Sequence, residues 1–400
     1  MINKIYFLYR KFRLLLLLLL LCPFLYFGIA AGWNQTKSDF PNYYVSSKLL
    51  VQGQLHEAYD VQKFTQHIAK YDAQAAGLFV MYPPTTALMT IFLSPFDILM
   101  AKRIWVIISI MAALGIVFFL SKQLKIDLID ASNILLMSGF NLYNDLMLGQ
   151  VYVVMVFLLI YGWYLYHHNK IIGAGTVWGV VAAIKFLPLF FIPFFILKRH
   201  YKLSAIILFT FLFLHSITLY FGGIESYKAF VHAFTENYLH GKVANEVATS
   251  SQYQSIEALV NLMKQNNLLG SLTASFIKIF WKLFWISLCF GACYKYISGK
   301  KFIPVAIAST SLLLLLFENG SATYHLLFCL LVLMIIFELN FSMTWKFYLL
   351  GAYLLLGFLP FVVHLMQSEY LVFNFVRLWS LALFSLLFFA AFKKHDRINN

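Results

Sequence analysis

Acids are scarce in this sequence, with 16 Asp+Glu against 30 Lys+Arg among 400 residues. Each acid beside an apolar run is therefore a candidate for chemistry. Asp39 stands about six residues beyond an apolar run long enough to cross a bilayer. A carboxylate held there can take the proton of an attacking hydroxyl; a solvated loop acid or a helix cap would use the same residue. Asp60 reads as a helix N-cap or as a contact to an acceptor. Three cations could hold an anionic leaving group. Lys185, three residues before Pro188, ends an apolar run where its ammonium can snorkel to a phosphate or merely anchor the helix. Arg377 falls about six residues into the last apolar run, roughly 9 Å deep by helix rise, where an arginine is functional by default unless it snorkels. His325 opens another run and can bind a phosphate, orient Asp39, or close a hydrogen bond at a helix end. Tyr43, Tyr44 and Tyr82 could line a groove, yet aromatics are 18% of the chain and anchoring at a membrane interface is the stronger reading for any one of them.

The elements that must position these residues are membrane helices. Hydrophobic residues make up 62% of the chain and charged residues 12%, with a mean hydropathy of +0.78, far outside the range of soluble domains. The run from Leu14 to Trp33 is about 20 residues, enough at ~1.5 Å per residue for a hydrocarbon core of ~30 Å. Lys4, Arg10, Lys11 and Arg13 precede it without an acid, which keeps the N-terminus cytoplasmic and makes residues 32–81 a first extracytoplasmic loop. A signal peptide cleaved after Gly28-Ile29-Ala30 is the rival reading, but the run is long for one. Within the loop, Val61, Phe64 and Ile68 share a helix face, and Tyr43, Tyr44, Leu49 and Leu50 suggest a second interfacial helix ended by Gly53.

A second span is expected from Pro83-Pro84 to Ala101, with Lys102-Arg103 at a cytoplasmic turn, and a third from Ile104 to Leu120. This count places Lys122 and Lys125 outside, where lysines are unexpected, and makes Ile134 to Leu148 re-entrant or a short buried helix. Further alternation gives a second long external loop at residues 222–273 and about 12 spans in all, as one membrane domain over residues 1–400 with a basic cytoplasmic C-terminus. The net charge of +14 then serves topology and anionic lipid, and no nucleic acid is expected as a partner. Four cysteines inside apolar runs imply no disulfide framework, and Cys289 and Cys293 lack the companions of a metal site.

Several short motifs, taken in order, resemble glycosyltransferase family 87: Asp39-Phe-Pro-Asn-Tyr43-Tyr44, Gly53, Ala58-Tyr59-Asp60, Tyr82-Pro83-Pro84, Pro95, Ala101 with Trp105, Gly149-Gln150, Gly173 to Gly179, and Lys185-Phe-Leu-Pro188 before Lys198-Arg199. Gln254-Ser255 and Ser321-Ala-Thr-Tyr-His325 continue the likeness more weakly; the second loop has Gln252-Tyr-Gln254-Ser255 in place of an Asn-Gln-Ser run, and no proline follows Ser321. The resemblance implies the GT-C fold, an all-α polytopic membrane protein of the inner cell membrane. It also implies a polyprenyl-phosphate sugar donor, most often mannose and in some relatives arabinofuranose, a lipid or glycan acceptor, and inverting transfer without metal or cofactor. On this reading Asp39 is the base, Lys185, His325 and Arg377 meet the phosphate, and Tyr43, Tyr44, Asp60, Tyr82, Gln150, Gln254 and Ser255 line the groove. The absence of a phosphate-cradling glycine loop agrees with a lipid-linked donor. A polysaccharide polymerase or ligase would be expected to place arginines in residues 222–273, which hold none, and a transporter would show internal repeats, which are not evident.

Overall fold

The computed structural model describes residues 2–35, 38–71, 77–239, 254–318, 322–339, 341–366 and 371–395. Helix is the only regular structure among them, as hydrocarbon demands of a chain that must satisfy its own backbone. Four helices are long and apolar enough to cross a membrane: Phe7–Asn34, Ile98–Leu124, Tyr201–Glu236 and Ser271–Lys295. A bent pair adds a fifth if it counts as one span, and the other apolar segments among the described residues run 10–17 residues, so the expected count of about twelve spans is not confirmed. Several such helices make this a multi-pass membrane protein.

The chain divides into two compact units. One comprises Leu25–Ile116 and Tyr143–Asn245 and contains Asp39; the other comprises Met1–Phe24, Val117–Leu142 and Glu246–Asn400 and is called here the terminal unit.

In the Asp39 unit, the chain leaves α1 (Ile2–Pro23) and its helical continuation to Asn34, then forms α2 (Phe40–Val51) and α3 (Val61–Ala69). Gly53, at φ +71°, stops α2 where a side chain would be strained. The expectation of an interfacial α2 fails. Phe40 through Ser47, Leu49 and Leu50 are all buried, so α2 is a core helix. Its small polar residues allow this. Ser46 and Ser47 donate to the Tyr43 carbonyl at 2.9 and 2.8 Å, and Thr90 donates to the same oxygen at 2.8 Å. By contrast, α3 is amphipathic as read, with Phe64 and Ile68 buried and Val61 exposed.

The second expected span is also corrected. Residues 84–93 form two short 3-10 helices, Pro84–Leu88 and Ile91–Leu93, which pack inside the unit. Thr85 and Thr86 donate to the carbonyls of Ala183 and Ile184, tying the segment to the end of α8 (Ile171–Ile184). The Asp97 carboxylate then accepts the amides of Leu99 and Met100, both at 3.0 Å, and so caps α4 (Ile98–Leu124). Lys102 therefore belongs to the start of a 27-residue helix and not to a turn between two spans.

Beyond α4 come α5 (Leu128–Leu136), α6 (Phe140–Leu148) and α7 (Tyr152–His167), the last two meeting at 116°. Residues 134–148, expected to be re-entrant or a short buried helix, hold the end of α5, a turn at Gly139 (φ +54°) and α6. In the Asp39 unit α7 packs on α8, where the Trp178 indole donates to the Leu159 carbonyl at 3.2 Å. A short α9 (Ile192–Leu197) leads to α10 (Tyr201–Ala233), which is broken by Gly223 at φ 71°.

The terminal unit contains α11 (Ile256–Gln265), α12 (Ser271–Lys295), α13 (Phe302–Phe317), α14 (Cys329–Glu338), α15 (Met343–Met366) and α16 (Val376–His395). Here α1 is fastened to α5 by ion pairs of Arg10 and Arg13 with Asp127 and Asp130. Gly139 and Gly357 let α15 approach the α5–α6 break, since a Cβ on Gly139 would lie 2.6 Å from the Gly357 carbonyl oxygen.

Candidate functional site

Asp39 occupies the N-cap position of α2, with helical backbone angles (φ −81°, ψ −13°), but its side chain makes no cap hydrogen bond. The cap reading is thereby set aside. The carboxylate instead turns to α6–α7, where Gln150 Nε2 donates to Asp39 Oδ2 at 2.6 Å. Gln150 Oε1 accepts from the Tyr43 hydroxyl at 2.5 Å, and that hydroxyl stands 3.1 Å from the Tyr82 hydroxyl. Lys185 Nζ lies 4.7 Å from the centre of the Tyr82 ring and 5.5 Å from that of Tyr152. Asp39, Gln150, Tyr43, Tyr82 and Lys185 thus form one connected polar chain, with Gln150 and Tyr43 buried.

Local sequence explains how each member is held. Tyr43 follows from the register of α2. Tyr82 is fixed from both sides, because Tyr59 donates to its carbonyl at 3.0 Å and the Pro83-Pro84-Thr85-Thr86 stretch is tied to α8. Burial pushes the Tyr59 phenol well above its ordinary value, so it remains a neutral donor. Lys185 is the residue at which α8 ends in extended backbone. Gln150 is pinned through its own backbone: its amide donates to the Asp145 carbonyl at 2.8 Å, and the Trp105 indole donates to its carbonyl at 3.0 Å. Gly149 before it has φ +68°, and a Cβ there would run into Lys102 Nζ and lie 2.9 Å from Phe40 Cβ. The Gly149-Gln150 and Trp105 motifs therefore serve one purpose, the placement of the amide that faces Asp39.

Sequence reading missed Lys102 and Asp145. Lys102 is fully buried and donates to the Met147 carbonyl at 2.9 Å and towards Ser38 Oγ at 3.4 Å, next to Asp39 in the chain. Its ammonium interacts electrostatically with both Asp39 and Asp145. Asp145 is equally buried and accepts the amides of Tyr152 and Val153 at 3.0 and 3.3 Å, the orphan donors at the start of α7. A signal existed for Asp145, the only acid between Asp130 and Glu225, because a carboxylate within so long an apolar stretch needs a partner.

The other predicted residues have the following partners. Tyr44 donates to the Phe96 carbonyl at 2.7 Å, and Asp60 is an exposed cap that accepts the amides of Gln62 and Lys63; neither joins the Asp39 network. Gln254, Ser255, His325 and Arg377 all belong to the terminal unit. There Gln254 Oε1 accepts the Arg377 amide at 2.7 Å, Ser255 caps α11 at the Ala258 amide, and His325 Nδ1 lies 2.8 Å from Glu318 Oε2. Arg377 sits in the first turn of α16, not six residues deep, because Leu371–Asn374 form a separate 3-10 helix. Ser321 and Gln252 fall outside the described residues.

A multi-pass helical membrane protein with an anchored loop carboxylate, buried hydroxyls and an adjacent lysine has the parts of a membrane-embedded group-transfer enzyme. The chain belongs to glycosyltransferase family 87, whose sequence profile it matches over residues 79–318, well over half its length. It is a membrane glycosyltransferase. No curated protein and no solved structure matches it. The matched stretch takes in Tyr82, Lys102, Asp145, Gln150, Lys185, Gln254 and Ser255; Asp39 and Tyr43 precede it, and His325 and Arg377 follow it.

Proposed function

We propose that this enzyme moves a sugar, mannose in the first instance, from a polyprenyl-phosphate donor to a hydroxyl of a lipid or glycan on the extracytoplasmic side, with Asp39 as the base. The observation that carries the reading is the Gln150–Asp39 hydrogen bond at 2.6 Å, which aims a loop carboxylate that would otherwise cap its own helix. In the reaction Asp39 accepts the proton of the acceptor hydroxyl while its oxygen bonds to the anomeric carbon. The bond from that carbon to the phosphate oxygen breaks on the opposite face, and polyprenyl phosphate leaves with the electron pair. Lys185 is the cation of the Asp39 network suited to that phosphate, held over two aromatic faces that leave its charge intact. His325 and Arg377 remain candidates for contacts to the donor phosphate. Lys102 donates towards Ser38 and attracts the neighbouring Asp39 carboxylate, which helps to hold the loop in place.

The sidedness is supported by α4. It starts at Asp97 and Lys102 beside the Asp39 loop and carries Lys122 in its last turn, followed by Lys125. Once residues 84–93 are recognised as non-spanning, these two lysines fall on the cytoplasmic side with Arg10, Lys11 and Arg13, as the positive-inside rule expects. The test is incubation of purified protein in lipid with radiolabelled polyprenyl-phosphate mannose and a crude lipid and glycan extract, wild type beside Asp39→Asn. Label should move to product with wild type only, while both proteins melt alike. Equal transfer by Asp39→Asn would remove Asp39 from the chemistry.

A further inference from the structure

A cavity of about 480 Å3 lies in the terminal unit, bounded by α1, the α4–α5 connection, the end of α14 and α15, and none of the residues assigned to transfer lines it. Its size is that of a small-molecule site, typically about 300–1,000 Å3. Most of its wall is hydrocarbon, including Ile134, Met137, Phe347, Leu350 and Leu354. Such a wall holds an alkyl chain far better than water, which needs several polar partners. Gly351 on α15 contributes the gap itself: it is exposed, lines the cavity, and a Cβ built on it would meet nothing within 4 Å. The cavity therefore opens at the surface of a membrane protein, where lipid chains can enter.

One part of the lining is polar. Asp130 is occupied, because Tyr9 donates to it at 2.8 Å and Arg10 and Arg13 pair with it at 3.3 and 3.2 Å. Glu338 nearby in the chain accepts from Gln123 at 3.0 Å. Lys346 also lines the cavity, its ammonium 5.2 Å from the centre of the Phe337 ring, and among the described residues no carboxylate pairs with it. With Lys122 and Lys125 flanking Leu124, which is part of the wall, the balance at this end favours an anion.

We propose that this cavity is a binding site for one anionic glycerophospholipid, with an acyl chain among Ile134, Met137, Phe347 and Leu350 and the phosphate at Lys346. The site is separate from the residues proposed for sugar transfer and does not depend on that reading. Native mass spectrometry of the purified full chain, titrated with dioleoyl phosphatidylglycerol or dioleoyl phosphatidylcholine, tests it. Wild type should carry one phosphatidylglycerol at least tenfold more tightly than Gly351→Leu, which puts a branched side chain into the cavity from a position where a Cβ meets nothing within 4 Å. Gly351→Leu should melt no lower than wild type, since leucine replaces glycine within a helix. Lys346→Gln should lose about fivefold in preference for phosphatidylglycerol over phosphatidylcholine, the effect of one lysine at a lipid surface. Equal phosphatidylglycerol retention by wild type and Gly351→Leu would overturn the site. An unchanged headgroup preference in Lys346→Gln would overturn the anionic assignment, as would displacement of phosphatidylglycerol by equimolar polyprenyl phosphate.

Discussion

Replacing Gln150 with leucine removes the amide that aims Asp39 while keeping nearly the same volume in a fully packed position. Two hydrogen bonds are lost: the one from Nε2 to the Asp39 carboxylate at 2.6 Å and the one from the Tyr43 hydroxyl at 2.5 Å. A hydrogen bond to a charged group contributes about 1.5–3 kcal/mol. If that anchoring is what orients the base in the transition state, the same energy corresponds to about 10- to 150-fold in rate. Initial rates of labelled-sugar transfer should fall by that factor in Gln150→Leu, with most of the loss in kcat. Because Gln150 acts through Asp39, the double variant with Asp39→Asn should be no slower than Asp39→Asn alone. Gln150→Glu keeps an acceptor for Tyr43 but sets a second carboxylate against Asp39, so the acid limb of its pH–rate profile should move to higher pH. A Gln150→Leu enzyme with wild-type kcat, or losses that multiply in the double variant, would refute the anchoring argument.

Two further perturbations probe the surroundings. Lys102→Met strips the ammonium that faces the buried Asp145 and the half-buried Asp39 and should destabilise the protein by about 3–5 kcal/mol, read as a lower melting temperature; adding Asp145→Asn should recover part of it. A Lys102→Met protein that melts like wild type would count against the buried charge cluster. The His67 ring, 2.6 Å from Glu57, holds that half-buried carboxyl below its ordinary value of 4.5. A lowered folded value gives stability that is present above the ordinary value and fades as pH falls through the lowered one. His67→Ala should therefore melt slightly below wild type at pH 7, and the gap should close on acidification below pH 4.5; a gap that widens there would contradict the pairing.

The parts of the fold written in local pattern were legible. The amphipathic stripe of Val61, Phe64 and Ile68 became α3, Gly53 ended α2, and Gly149-Gln150 proved to be a backbone requirement joined to the side chain that holds Asp39. What failed depended on tertiary partners. Residues 84–93 are apolar enough to suggest a span, but their threonines find carbonyls on α8, and nothing in the segment itself shows this. Lys102 next to Arg103 has the look of a topological anchor; only Ser38, Met147 and Asp145, remote in sequence, make it a buried cation. Tyr43 and Tyr44 are neighbours of one type, yet one hydroxyl meets Gln150 and the other the Phe96 carbonyl, a difference set by helix rotation.

The burial of Lys102 also sets an order for making the protein. The chain emerges from the ribosome at about 5–20 residues per second, and Asp145 and Met147 follow Lys102 by roughly forty residues, so α4 spends about 2–9 s in or near the bilayer with Asp39 made but before the buried carboxylate and the carbonyl that complete the Lys102 site exist. During that interval the ammonium must remain in the aqueous headgroup layer, which its place near the start of α4 permits. Its withdrawal into the interior then awaits α6, and with it the seating of Ser38 and Asp39. A nascent chain arrested before Asp145 should accordingly leave Lys102 open to amine-reactive labels that the finished enzyme excludes.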